Sequence, residues 1–279
     1  MTVLHLALDV VSEAFARKFM IAVAVLISLG LLVLMFALDL DVVDGAIAST
    51  RLFGIGGELN AGVLPVDVAL RPVFGFVAWA VFYFGLLFGV VATADIAPKA
   101  LAPGRVEFML SFPVRRFEFV IGTYLGVLSI AAIGTTFAVG GVSLVLFWKA
   151  NFVTAAPLFG ALGALLAFAA IYAAMLFLTT LARSAALAAG GGLALYLIGL
   201  LTSNREWFTG LFSSHAVRQI VGVVIFPLPR LKALADLGNS AASGEILLAS
   251  PSIKLVVHTL IFATALVAAS CYVVQSRDY

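Results

Sequence analysis

The chain has 279 residues, 63% of them hydrophobic and only 11% charged, with a mean hydropathy of +1.19. That excludes a soluble globular domain, where about 45–50% apolar and about 25% charged residues are usual, and it makes lipid the solvent. The formal net charge of +2 is too small to attract nucleic acid, and a lone cysteine, Cys271, excludes a disulfide framework or a multi-thiolate metal site within the chain.

Residues 1–18 predict an amphipathic helix of about four turns lying flat in the membrane interface. Leu4, Leu8, Val11 and Phe15 form a stripe at helical spacing, widened by Val3, Ala7, Val10 and Ala14. His5, Asp9, Ser12 and Glu13 share the opposite face, Leu6 falls at its edge, and Arg17 and Lys18 close the segment. Such a helix reads equally as a plain anchor and as a lever that touches a partner through Asp9, Glu13, Arg17 and Lys18.

Charge-free runs then predict six transmembrane helices, at 19–38, 72–94, 119–148, 156–182, 184–204 and 255–276. Each meets the requirement of about 20 apolar residues for a hydrocarbon core about 30 Å thick. The first run is longer than the roughly 7–15 residues of a signal peptide, so the "AIA" at Ala46–Ala48 is not read as a cleavage site. A very tight turn around Arg183 must join the fourth and fifth spans. Residues 205–254 form a long loop with a re-entrant or interfacial segment. Within it "IVGVVIFPLP" (Ile220–Pro229) is too short to cross and carries helix-breaking prolines. After it, Leu228, Leu231, Leu234 and Ala235 share one face of a short amphipathic helix placed at the membrane surface. The expected fold is therefore an all-α polytopic membrane protein.

Six spans put both termini on one side. Each side of the membrane holds eight Lys and Arg residues, but the side of the termini holds them in about half as many residues, and Arg17–Lys18 abut the first span. The positive-inside rule puts that side in the cytoplasm.

The connector between the second and third spans, "APGRVEFMLSFPVRRFEFVIG" (Ala102–Gly122), combines charge with four phenylalanines. Gly104 after Pro103 can open a helix, and Pro113 biases Phe112 out of helical geometry, which gives a short helix at 104–113. Glu107 near its start and Arg115–Arg116 past its end suit the helix dipole. Val106, Met109 and Leu110 form one apolar stripe, and Phe108 and Phe112 a second. Two such stripes suit two partners, although a helix lying in the headgroups with Phe anchors would show them as well.

The run "EFMLSFPVRRFEFVIGTYLG" (Glu107–Gly126) resembles the permease subunits of type II ABC exporters, the nitrous-oxide-reductase maturation and gliding-motility branch in particular. Ser111, Pro113, Val114, Arg116, Glu118, Gly122 and Gly126 match that family's LS-x-P-V-x-R-x-E-x-x-x-G-K-x-L-G pattern, while Thr123 stands where Lys is usual and "KALAPG" (Lys99–Gly104) replaces an acidic stretch. The resemblance covers nearly the whole chain. It implies that 104–113 is a coupling helix, with Arg105, Glu107, Phe108, Ser111, Phe112, Arg115 and Arg116 facing an ATPase. It also implies two ATPase subunits that bind ATP and Mg, a second permease chain (a homodimer or a heterodimer), possible extracytoplasmic accessory proteins, and the prokaryotic inner membrane as location.

The chain itself carries no P-loop and no Gly-Lys dipeptide, so no cofactor or catalytic residue is expected in it. Its spans contain no Asp, Glu, Lys or Arg, the residues that ion-coupled pumps place at membrane depth. His5, His215 and His258 lie too far apart in sequence for a helical metal-binding pair. A non-transporting anchor or assembly factor, and a secondary transporter or channel, are the competing readings.

Overall fold

A computed structural model describes residues 3–16, 19–43, 46–52, 68, 70–102, 104, 115–151, 156–202, 215–242 and 250–276. Among the described residues the fold is helical apart from one hairpin. Helix α1 (Val3–Ala16) turns by 70° into α2 (Phe19–Ala37). Strands β1 (Leu38–Val43) and β2 (Ala46–Leu52) pair antiparallel, with Leu38 opposite Leu52 and a bulge between Asp41 and Val42. The all-α expectation holds for the described residues outside this hairpin, which moves Leu38 out of the first span into a strand.

The second apolar run is one helix with an irregular middle. Helix α3 (Arg71–Ala80) starts with Pro72 in its first turn, where a missing N–H costs nothing. A π turn follows at Val81–Gly85, then α4 (Leu86–Thr93) and a short α5 (Ile96–Ala100). Helix α6 (Arg116–Ala150) is longer than expected at both ends. Arg115 is extended at its start, and the Glu118 carboxylate accepts the Arg115 N–H at 3.1 Å, one half of a capping box. Asn151, in the left-handed region at φ 48°, ends it.

Helix α7 (Ala156–Ala182) has the predicted boundaries and is the hub of the bundle, with 61% of its most apolar stretch buried. Arg183 at φ 50° makes the tight turn, and Ser184 caps α8 (Ala185–Leu201) by accepting the Leu187 N–H. Helix α9 (His215–Ile225) and α10 (Leu231–Ala242) flank the Pro227–Pro229 break, and α11 (Ser250–Ser276) completes the chain, starting five residues before the predicted 255 with Pro251 in its first turn.

Among the described residues, four stretches are long and apolar enough to cross a membrane: Arg71–Ala100, Arg116–Ala150, Pro157–Ala182 and Ser252–Ser276; the bent α1–α2 pair makes a fifth if counted as one. Helix α8 is apolar but has only 17 residues.

Two buried clusters mark the two ends of the bundle. Leu34, Leu38, Leu70, Val73, Leu146 and Ala242 gather the end of α2, the start of α3 and the ends of α6 and α10. Lys149 adds a hydrogen bond to the Leu38 carbonyl there. Ala97, Val120, Leu176 and Val274 gather α5, the start of α6 and the ends of α7 and α11.

Helix α10 is the short amphipathic helix expected at the membrane surface. Leu231, Leu234 and Ala235 do share a face, but that face is buried between α3 and α7. Small residues permit it: a Cβ on Gly238 would stand 3.1 Å from the Gly160 carbonyl oxygen, and one on Gly163 would stand 3.2 Å from that of Leu234. In lipid such close backbone approach supplies dispersion contacts that burial from water cannot.

Candidate functional site

The connector that carries the family resemblance leaves the bundle at the end marked by Ala97, Val120, Leu176 and Val274. Arg105, Glu107, Phe108, Ser111 and Phe112, and also Arg17 and Lys18, lie outside the described residues. Gly104 is described, at φ +81°, a left-handed turn geometry natural to glycine. Beyond this residue, the helix expected at 104–113 lies outside the described residues.

The residues flanking the connector are held in defined contacts. Arg115 is exposed. Arg116 is half-buried, and its Nη1 donates to the Gln275 carbonyl at 3.3 Å. That carbonyl is at the C-terminal end of α11, where unpaired oxygens and the negative end of the helix dipole attract a cation. On the other flank, Lys99 pairs with Asp95 one turn earlier.

Helix α1 packs across the start of α6 with Leu6, Ala7, Val10 and Ala14 buried. Of the stripe read from the sequence, Ala7, Val10 and Ala14 are buried, while Leu4, Leu8 and Phe15 face outward. The reason is the pair Gly122 and Gly126. A Cβ on Gly122 would meet the Leu6 Cβ at 2.6 Å, and one on Gly126 would meet the Val10 Cβ at 2.7 Å. Leu6, placed by the sequence at the edge of the polar face, is in fact the knob that fills the Gly122 hollow. Helix α1 therefore has two apolar faces, one for α6 and one left outward, and the single stripe read from the sequence straddles them. Asp9 is exposed, and its carbonyl accepts the Ser12 hydroxyl at 2.8 Å. Glu13 is half-buried and lines a cavity of about 570 Å³ with Asp95 and Lys99. Sequence reading passed over Asp95 and Lys99; their i, i+4 spacing just past an apolar run was the available signal.

Deeper in the bundle, the polar side chains of the helices mostly serve the backbone. Thr93, Thr123, Thr135, Thr179, Thr202 and Thr259 each donate to the carbonyl four residues earlier. Their hydroxyls thus satisfy backbone carbonyls of their own helices. Tyr196 donates to the Tyr83 carbonyl within the π turn at 3.3 Å, and Tyr124 to the Ala169 carbonyl at 3.0 Å. Tyr172 is fully buried between Tyr124 and Phe168, with its hydroxyl unpartnered. The π turn itself had no signature in the sequence, and it sits beside an aromatic group in which Trp79 contacts Phe76, Tyr83 and Phe84.

No model of a known protein family matches this chain, and no curated protein matches it either.

Proposed function

We propose that this chain is the membrane-spanning permease subunit of an ATP-driven exporter of the type II ABC class, powered by separate ATPase subunits. The single observation that supports it best is how the connector's flanks are joined to the bundle. The connector leads into Arg116, which is bonded to the end of α11, and into Gly122 and Gly126, on which α1 rests. Both glycines belong to the family pattern, and α1 packing gives each a physical reason. A push on the connector would move α1, α6 and α11 together, which is what a coupling element requires.

Six crossings also belong to this reading. Helix α8 spans about 26 Å at 1.5 Å per residue, close to the hydrocarbon thickness. The two end clusters suit chains of alternating direction, with both termini at the connector end and, by the positive-inside rule, in the cytoplasm of a prokaryotic cell. Assembly as a homodimer with two ATPase copies completes the proposal.

Solubilising native membranes and isolating the tagged chain should bring down a protein with a P-loop. Phe108→Asp combined with Phe112→Asp should abolish that association or its stimulated ATP turnover while membrane insertion is retained. A double variant that still binds and stimulates the ATPase would refute the coupling role, and a stable partner without a P-loop would favour the anchoring reading.

A further inference from the structure

Helices α9 and α10 follow one another in the chain but are held very differently. Leu231 and Leu234 of α10 are fully buried, and the helix rests on small residues of its neighbours. A Cβ on Gly199 of α8 would stand 2.6 Å from the Leu231 Cγ, and one on Gly163 of α7 would stand 3.2 Å from the Leu234 carbonyl oxygen. On α9, by contrast, Val217, Arg218, Gln219, Ile220 and Val223 are exposed, while Ile225, its last residue, is buried.

The link between the two helices is a weak one. Pro227 and Pro229 have no N–H, so a helical ladder cannot run through them. Backbone bonds at the end of α9 reach as far as Leu228, whose N–H donates to the Ile225 carbonyl at 3.1 Å. Those of α10 start at the Arg230 carbonyl, which accepts the Leu234 N–H at 3.1 Å. Among the described residues no backbone bond crosses from one set to the other. Two helices joined in this way can turn against each other about a few dihedral angles, which is what a hinge requires.

His258 reaches this break from α11. Its Nε2 lies 3.1 Å from the Phe226 carbonyl oxygen. A carbonyl oxygen only accepts, so Nε2 carries the proton and donates. The Phe226 ring meets the imidazole edge-on, with centroids 6.2 Å apart and planes at 81°. One residue is thus gripped by its backbone and by its ring, at the point where α9 gives way to the break.

We infer that α9 is an arm hinged at residues 226–229 and that His258 is the clasp holding it in the position described, while α10 stays fixed to the bundle. The device needs no ATPase partner, so its test stands apart from the permease assignment.

The full chain in a Cys271→Ser background is reconstituted in nanodiscs and spin-labelled in pairs for distance measurement by electron paramagnetic resonance. Labels on Gln219→Cys of α9 and Asp236→Cys of α10 report the hinge. Labels on Asp236→Cys and Ile253→Cys of α11 give a fixed reference. With His258 in place the hinge distance should form one narrow population. His258→Phe keeps an aromatic ring but loses the donor; it should raise the population at other distances about fivefold, the effect of roughly one hydrogen bond. His258→Gln, whose side-chain amide N–H can stand in for that of Nε2, should keep the narrow population. The reference distance should be the same in all three. A hinge distance already dispersed with His258 present, one unchanged in His258→Phe, or one as dispersed in His258→Gln as in His258→Phe overturns the clasp. A reference distance that shifts together with the hinge distance overturns the hinge, because α10 then moves with α9 and His258 serves the fold alone.

Discussion

A Cβ built on Gly126 would stand 2.7 Å from the Val10 Cβ and 2.9 Å from the Ala7 carbonyl oxygen, both on α1. Neither atom is the end of a flexible side chain, so α1 itself would have to move. Gly140, fourteen positions on in the same helix, has nothing within 4 Å of the same construction. Gly126→Ala should therefore destabilise the α1–α6 contact by about 1–3 kcal/mol, the usual effect of overpacking. Gly140→Ala should be neutral or stabilising by up to about 1 kcal/mol, from helix propensity alone. Cross-linking between cysteines placed at Val3 and Phe119, together with thermal stability in detergent, separates the two; equal behaviour of the variants would mean that α1 does not rest on α6. Gly122 and Gly126 stand four residues apart in the sequence, on one helical face, as parts of the pattern that the connector resembles. What packs on that face is not legible, because nothing local to the glycines distinguishes a neighbouring span from helix α1, more than a hundred residues away in the chain.

Elements whose limits are set locally were the ones the sequence disclosed. Helix α7 begins and ends where the apolar run does, and the turn at Arg183 is forced by the lack of any spare residues between α7 and α8. Elements set by tertiary contact were missed. Helix α6 gains length because Arg116 and Lys149 find carbonyls on α11 and at Leu38, which lets charged residues stay helical past the apolar limit. Asp44–Gly45 between two apolar stretches is a recognised hairpin signal that went unused next to the stronger pattern of spans. The π turn depends on α8. A π turn displaces one carbonyl from the regular ladder, and in lipid such a group needs another donor. Tyr196 supplies one to Tyr83. Tyr196→Phe should thus weaken the α3–α4 helix by about 1 kcal/mol, seen as faster amide exchange around residues 85–90. Tyr172→Phe is the matched comparison. Its hydroxyl is buried with no partner, so removing it should leave stability unchanged or raise it by up to about 1–3 kcal/mol. A loss in Tyr172→Phe as large as in Tyr196→Phe would contradict both assignments.

The number of crossings is a property of the whole molecule, and it turns on α8, the shortest of the apolar helices. If α8 failed to cross, α10 and the start of α11 would lie at the same end as the α7–α8 turn. The packing places them at the other end. Gly238 of α10 lies against Gly160 near the start of α7, Asn239 lies against Gly75 near the start of α3, and Ala242 joins the cluster holding Leu38 and Leu146. The end of α11 meets the start of α6 through Arg116 and Gln275, so α11 runs back across the full height. In the proposed six-span arrangement α8 carries the chain from Arg183 to that far side. Its 17 residues are at the lower limit for a bilayer core, and local thinning or flanking polar residues accommodate a short helix at modest cost. In a Cys271→Ser background, Ser12→Cys, Arg183→Cys and Ser276→Cys should react with an impermeant maleimide from one side of sealed vesicles. Asn151→Cys and Asn239→Cys should react only from the other. Labelling of Asn239→Cys from the Ser12 side would leave α8 within one leaflet, separate the termini and remove the geometry on which a coupling helix between α5 and α6 depends.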